Sequence, residues 1–119
     1  MTGPIFDTHA HYSAHAFDAD RFALLDSLPA KGVVGVCEQA THSGDAPRVL
    51  ELAHRYPWVV AAIGIHPESL LAPEDCGADG PAPTVSVYGG DWAAEMRALA
   101  PYYDDPKVVA VGECGLDYH

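Results

Sequence analysis

Four short apolar segments alternate with stretches of helical periodicity along this chain of 119 residues. The apolar segments span residues 4–8, 33–37, 58–65 and 107–112. Strands that are buried on both faces read as continuous apolar runs. Strands that alternate with amphipathic helices form right-handed βαβ units around a parallel sheet. The pattern therefore predicts an α/β fold with four parallel strands.

The three intervening segments carry the signals of helices. Asp18 and Asp91 are the predicted N-caps of the first and third helices, and the second helix is predicted to start near Asp45. Apolar residues then recur at steps of three or four, which predicts one buried face per helix. The residues expected on these faces are Phe22, Leu25 and Leu28, then Val49, Leu52, Ala53 and Tyr56, and finally Trp92, Met96, Leu99 and Tyr103.

Residues 67–90 interrupt this alternation of strands and helices with a long interval rich in proline and glycine. A connection of this length is usually functional or disordered. The length of the chain fits one domain or a piece of a larger one. We therefore read residues 1–119 as one unit with an insertion near residues 67–90.

The charge balance narrows the classes of function. Six Lys and Arg residues stand against seventeen Asp and Glu, a formal net charge of -11. Proteins usually hold a phosphate backbone with Lys and Arg, so this balance disfavours a simple nucleic-acid-binding module. It disfavours a metalloenzyme less, because bound cations can invert the local field. The sequence has no P-loop, no GxGxxG and no serine nucleophile elbow.

The location of the protein is predicted from missing signals. No apolar stretch approaches the roughly 20 residues that a membrane helix needs, and residues 1–4 lack the basic and apolar regions of a signal peptide. We therefore expect a cytoplasmic protein without a membrane partner. The chain has three cysteines, an odd number, and no CxxC motif. A disulfide framework is therefore not expected, and we expect reduced thiols.

Polar side chains follow each predicted strand. In a parallel α/β sheet or barrel the carboxyl ends of the strands lie on one rim, where active sites form. The sequence therefore predicts that one rim carries His9, His11, Glu38, His42, His66 and Glu113.

His9 and His11 are the strongest candidates for metal ligands. Side chains two residues apart on a strand point the same way, so two neutral imidazoles can bind one divalent ion. Glu113 is the predicted third ligand, and its two carboxylate oxygens could bridge two cations. Asp7 could orient a ligand histidine or simply pair with backbone, and the sequence leaves both alternatives open.

The remaining polar residues near this rim carry weaker expectations. His66 is read as a donor or acid/base group, with a hydrogen-bonded loop histidine as the alternative. Glu38 and His42 match no pattern and are expected in a solvated loop. Cys114 follows the glutamate, so on a strand it would face the other way, into the core. Asp117 could cap the next turn or support that glutamate.

Three segments together resemble signatures of the TatD family of metal-dependent deoxyribonucleases. They are DTHAH at residues 7–11, GIHP at residues 64–67 and GECGLDY at residues 112–118. Their order and separation match the family, and the resemblance covers nearly the whole chain outside the insertion. The first segment alone would also suit amidohydrolases or PHP-type phosphoesterases.

The resemblance implies a (β/α)8 barrel of TIM type that uses two divalent metal ions (Mg, Mn or Zn). It also implies hydrolysis of phosphodiester bonds in nucleic acid, often as a 3′ exonuclease. By position, His9 and His11 would bind one metal, Glu113 would bridge both, and His66 would contact the scissile phosphate. The metals would lower the pKa of a bound water, and the resulting hydroxide would attack phosphorus.

Such a barrel takes about 250 residues, so the chain matches its N-terminal half, with four strands and three helices. Two histidines and an aspartate that the family carries on later strands have no counterpart here. One hypothesis is an enzyme acting on DNA or another phosphodiester. The other is a catalytically incomplete remnant that binds a partner chain, or metal in smaller number or more weakly. The first and fourth strands would be open edges, which predicts self-association or pairing with a complementing half.

Overall fold

The computed structural model describes residues 3–70 and 86–116 of the chain. Four strands form a parallel sheet in the order β1-β2-β3-β4. The strands are β1 (Ile5–Ala10), β2 (Val33–Gln39), β3 (Val59–Ile63) and β4 (Val108–Val111). The predicted α/β fold with four parallel strands is confirmed.

Three α-helices lie between the strands, as predicted: α1 (Arg21–Ser27), α2 (Ala46–Arg55) and α3 (Trp92–Leu99). Short 3-10 helices add single turns at His15–Phe17, Pro29–Lys31, Pro67–Leu70 and Ala100–Asp104. Within the described part of the chain, no helix has both the length and the apolar composition that crossing a membrane requires. Most of the predicted insertion, residues 71–85, lies outside the described residues.

The buried core lies between the sheet and the helices. Side chains from the two central strands and from all three helices are almost fully buried there, among them Leu25, Val36, Leu52, Ile63 and Leu99. The edge strands are more open, because Phe6, Val109 and Val111 are 53%, 59% and 69% exposed. The two central strands are therefore the most buried part of the sheet, while among residues 3–70 and 86–116 no further strand pairs with the outer side of β1 or β4.

One of the two predicted N-caps is confirmed in detail, and α2 begins directly after Asp45, as predicted. The Asp91 carboxylate accepts hydrogen bonds from the backbone N–H groups of Ala93 and Ala94, both at 3.0 Å, and so caps α3. The prediction that Asp18 caps α1 is wrong, because that helix begins only at Arg21. Asp18 instead accepts a hydrogen bond from the Arg21 guanidinium at 2.6 Å, and this contact lowers the pKa of Asp18.

The predicted buried face of α3 is partly wrong. Trp92 is 64% exposed rather than in the core, whereas Glu95 is fully buried. Glu95 accepts hydrogen bonds from the Ser43 N–H at 2.8 Å and from the Ser86 hydroxyl. A satisfied carboxylate can thus replace an apolar side chain at the helix contact. Tyr56 on α2 is only 8% exposed, which confirms its predicted core position.

Candidate metal centre

The carboxyl ends of β1 and β4 bring two histidines and a glutamate together. Nε2 of His9 lies 3.1 Å from Nε2 of His11. The Glu113 carboxylate faces both rings, with Oε1 at 3.6 Å from His9 Nε2 and Oε2 at 3.2 Å from His11 Nε2. The three residues predicted as ligands therefore form one cluster on the predicted rim.

The spacing of these donor atoms fits a metal ion. Imidazole nitrogen and carboxylate oxygen bind zinc at roughly 2.0–2.2 Å, so two such ligands on a tetrahedral ion lie about 3.4 Å apart. The nearest separations, taken to a different Glu113 oxygen for each histidine, run from 3.1 to 3.6 Å and bracket that value. All three ligand atoms lie within 4.8 Å of one another. His9, His11 and Glu113 could therefore hold a divalent cation with little rearrangement.

Backbone contacts across three strands fix the position of Glu113. The Gly112 N–H donates to the Ile63 carbonyl at 3.0 Å, and the Glu113 N–H donates to the Ala40 carbonyl at 2.9 Å. A Cβ atom on Gly64 would lie only 2.4 Å from the Glu113 carbonyl oxygen. Only glycine permits this approach. Sequence reasoning missed this role, although a glycine at a strand end often marks a close backbone contact.

His66 approaches the same Glu113 oxygen, Oε1, as His9 does. Its backbone N–H donates to the Thr41 carbonyl at 2.7 Å, which fixes the residue after β3. Its Nδ1 accepts a hydrogen bond from the Glu68 N–H at 3.1 Å, so the neutral ring carries its proton on Nε2. That Nε2 is 3.5 Å from Glu113 Oε1. The ring is therefore arranged as a hydrogen-bond donor beside the candidate metal centre.

The predictions for three further residues near the cluster have different outcomes. Of the two alternatives for Asp7, the structure shows the second, because its carboxylate accepts from the His9 backbone N–H at 3.1 Å. Cys114 is exposed, so its predicted core position is wrong. The strand β4 ends at Val111, and strand alternation does not extend to Cys114. Asp117 lies outside the described residues.

The prediction of a solvated loop is wrong for Glu38, which is fully buried inside β2. Glu38 shares a strand face with Val36 and Ala40, both of which belong to the core. Burial raises the pKa of its carboxyl, although the hydrogen bond from the Ser13 N–H at 2.6 Å lowers it. Glu38 thereby ties the segment after His11 to the central strand.

The same prediction is wrong for His42, which is 5% exposed. Its Nδ1 accepts a hydrogen bond from the Gly44 N–H at 2.8 Å. The Asp45 carboxylate closes the same loop by accepting from the N–H and the hydroxyl of Thr41 and from the N–H of His42. The loop that follows β2 therefore folds inward and supports the rim.

Comparison with known proteins identifies the family of the chain. The family described as TatD related DNase matches residues 6–119 of the chain. The chain belongs to the TatD family. Deoxyribonuclease TATDN3 of Homo sapiens is 32% identical over 115 residues, covering 96% of this chain and 38% of that protein. The uncharacterized metal-dependent hydrolase YjjV of Escherichia coli is 36% identical over 111 residues, covering 93% of this chain and 37% of that protein.

The fold comparison places this TatD-family chain within a barrel. The crystal structure of YjjV, a TatD homologue from Escherichia coli, superposes with a TM-score of 0.71 at 31% sequence identity. The match covers 97% of this chain and 38% of the YjjV chain. The fold is therefore part of a parallel (β/α) barrel of TIM type, and the chain spans less than two fifths of the length of these relatives.

Proposed function

We propose that the chain contributes to a divalent-metal-dependent hydrolase that cleaves phosphodiester bonds of nucleic acid. The cluster of His9, His11 and Glu113, with its ligand atoms within 4.8 Å, carries this proposal. Relatives named Deoxyribonuclease TATDN3 and 3'-5' ssDNA/RNA exonuclease TatD support the substrate class. Relatives named as metal-dependent hydrolases support the use of a metal ion.

The residues of this chain supply distinct parts of the proposed chemistry. A divalent ion held by His9, His11 and Glu113 would lower the pKa of a bound water and so supply the nucleophile. His9 and His11 both present Nε2 to the cluster, and Glu113 places one carboxylate oxygen near each ring. The Nε2–H of His66 would donate to an oxygen of the scissile phosphate, where negative charge increases in the transition state.

We expect the His66→Ala variant to separate turnover from metal binding. The His66 proton lies on Nε2, so the ring acts as a donor and not as a metal ligand. Loss of this donor should lower kcat for a 3′-labelled single-stranded oligonucleotide by about 100-fold in Mg²⁺ or Mn²⁺. The Kd for Mn²⁺, measured by calorimetry, should change by less than about threefold.

His54 offers a matched control for that variant. It is an exposed histidine on α2 whose Nε2 pairs with the Asp105 carboxylate at 2.5 Å, remote in sequence from the rim residues. His54→Ala should leave both kcat and the Mn²⁺ affinity near those of the parent chain. If His66→Ala weakens Mn²⁺ binding more than tenfold, His66 is a ligand and the proposed role as donor is wrong. If the parent chain cleaves no phosphodiester under any metal condition, either alone or together with a complementing half, the function proposed for this chain fails.

We also propose that the open edges of the sheet pair with further strands, supplied by a second copy or by a complementing half. The edges are β1 and β4, where Phe6 and Val111 expose large apolar side chains. Exposed apolar edges favour association with another chain. Sedimentation velocity should show dimers or larger species at micromolar concentration. A well-folded monomer across this range would contradict the proposal.

A further inference from the structure

A cleft opens beside the candidate metal centre, with His11 on its wall. It has a volume of about 220 Å³ and is lined by His11, Ser13, His15, Thr41, Asp45 and Arg48. Water occupies about 30 Å³ per molecule in the liquid, so the cleft can hold a group larger than a phosphate. His11 belongs both to the metal cluster and to this lining, so the two sites are adjoining. We refer to this space as the Arg48 cleft.

The guanidinium of Arg48 lies at the cleft, and its polar contacts with the described residues are made by Nη1. Its Nη1 donates to the Ser13 carbonyl at 3.1 Å and lies 3.2 Å from Nδ1 of His15. Among the described residues, its Nη2 and Nε make no hydrogen bond, and 38% of the side chain is exposed. Arg48 thus combines a fixed position with N–H donors that remain free for a ligand.

The acidic groups near the cleft are largely occupied by other donors. Asp45 accepts from the backbone and hydroxyl of Thr41 and from the His42 N–H. Asp18, at 3.9 Å from Arg48 Nη1, is paired more closely with Arg21 at 2.6 Å and with His15 at 3.0 Å. Nη2 and Nε of the Arg48 guanidinium are therefore the N–H groups at this cleft that can bind an anion.

The other cations of the chain are engaged or face elsewhere. Arg21 is buried and donates to three carbonyls and to Asp18. Lys107 donates to carbonyls in and around β3, and Arg55 stacks on the Phe22 ring at 4.0 Å. Lys31 lies before β2, at the opposite end from the rim, and Arg97 is exposed on α3. The chain has six Lys and Arg in all. Among the described residues, Arg48 is the one of these six that lines a cleft together with His11.

We propose that the Arg48 cleft binds a second phosphate of the substrate, one that neighbours the phosphate cleaved at the metal centre. Guanidinium groups bind phosphate through two parallel N–H bonds, which Nη2 and Nε of Arg48 can supply. The ring of His15 lines the same cleft, and its Nδ1 lies 3.0 Å from the Asp18 carboxylate. The inference rests on the proposed function, and it specifies a substrate with more than one phosphate, a short single-stranded nucleic acid.

Binding in the presence of EDTA tests the cleft apart from catalysis. The probe is a fluorescein-labelled tetrathymidylate, followed by fluorescence anisotropy over a series of KCl concentrations. Arg48→Gln should weaken binding about tenfold at low salt, as expected for the loss of a charged hydrogen bond. It should also flatten the slope of log K against log salt by about 0.7, which corresponds to one lost phosphate contact on a single strand.

Arg97→Gln is the matched control, since it removes the same charge from an exposed site on α3 and should preserve affinity and slope. Equal affinity and slope for Arg48→Gln and the parent chain would overturn the proposal. So would a weaker affinity with an unchanged slope, because that result indicates a purely structural role. If Arg48→Gln does not fold, Arg48→Lys decides: retained slope with about threefold weaker binding is expected, and unchanged affinity overturns the proposal.

Turnover provides a second measurement. Arg48→Gln should lower kcat/KM for tetrathymidylate about tenfold and leave kcat/KM for bis(p-nitrophenyl) phosphate, which has a single phosphate, within twofold. An equal loss on both substrates would overturn the proposal. If the parent chain hydrolyses neither substrate, the proposed nuclease function fails, whereas the anisotropy comparison still decides whether the cleft binds phosphate.

Discussion

Glu113→Gln is expected to weaken Mn²⁺ or Zn²⁺ binding by at least about 100-fold and to lower phosphodiester hydrolysis by about 1000-fold or more. Glu113 supplies both of its oxygens to the cluster, one facing His9 and the other facing His11. An amide offers a single neutral oxygen in place of the carboxylate. Loss of a residue that merely orients a ligand costs 10–100-fold in metal affinity, so loss of a charged ligand should reach at least the upper limit. Metal activation contributes several kcal/mol to hydrolysis.

Calorimetric titration of the chain with each metal and a labelled-oligonucleotide assay measure the two effects. Glu51→Gln is the matched control, because Glu51 is exposed on α2 and contributes nothing to the cluster. That control should retain both properties. The comparison with His66→Ala sharpens the test, because only the Glu113 change should affect the Kd for metal. Unchanged metal affinity in Glu113→Gln would show that the cluster is not the metal site.

The geometry around His9, His11 and Glu113 could be anticipated because it depends on short-range rules. Two residues separated by one on a strand share a face, and the carboxyl ends of parallel strands share a rim. These two rules place on one rim side chains that are about a hundred positions apart in the sequence. The contact itself also needs the segment after β4 to cross toward the central strands, where the Glu113 N–H donates to the Ala40 carbonyl. Their role as metal ligands stays a prediction that the titrations above address.

The burial of Glu38, Glu95 and His42, three polar residues, could not be predicted from the sequence. Periodicity within an element identifies apolar faces, but it does not show which distant backbone groups will satisfy a buried carboxylate. Glu95 finds its donors at Ser43 and Ser86, and Glu38 finds one at Ser13. Such long-range hydrogen bonds decide burial, and they appear only when the loops are folded around the sheet.

Trp92 and Cys114 show the opposite error, in which a residue predicted to be buried is exposed. Regular spacing predicts both in the core, and both are exposed. On α3 the contact with the rest of the chain is made by the Glu95 side of the helix. After β4 the chain leaves the strand before Cys114 is reached. Spacing rules therefore hold only inside an element, and the ends of elements are set by contacts that a local pattern does not contain.

Gly64→Ala is expected to destabilise the chain by about 3 kcal/mol and to weaken metal binding at the same time. The added Cβ would lie 2.4 Å from the Glu113 carbonyl oxygen and 2.7 Å from the Gly112 carbonyl carbon. Both are backbone atoms, so neither can rotate away, and insertion of one carbon into a tightly packed site typically costs 1–3 kcal/mol or occasionally more. Relief of the clash must separate β3 from the segment that carries Glu113.

Two other glycines give graded controls for this prediction, measured by urea unfolding and by calorimetry with Zn²⁺. A Cβ on Gly3 would meet nothing within 4 Å, so Gly3→Ala should change stability by less than about 0.5 kcal/mol. A Cβ on Gly112 would lie 2.9 Å from the side-chain oxygen of Gln39, which can move, so Gly112→Ala should cost about 1 kcal/mol. The expected order of destabilisation is Gly64, then Gly112, then Gly3. Equal stability of the Gly64 and Gly3 variants, with unchanged Zn²⁺ affinity, would mean that the close approach of β3 to Glu113 does not hold the carboxylate in place.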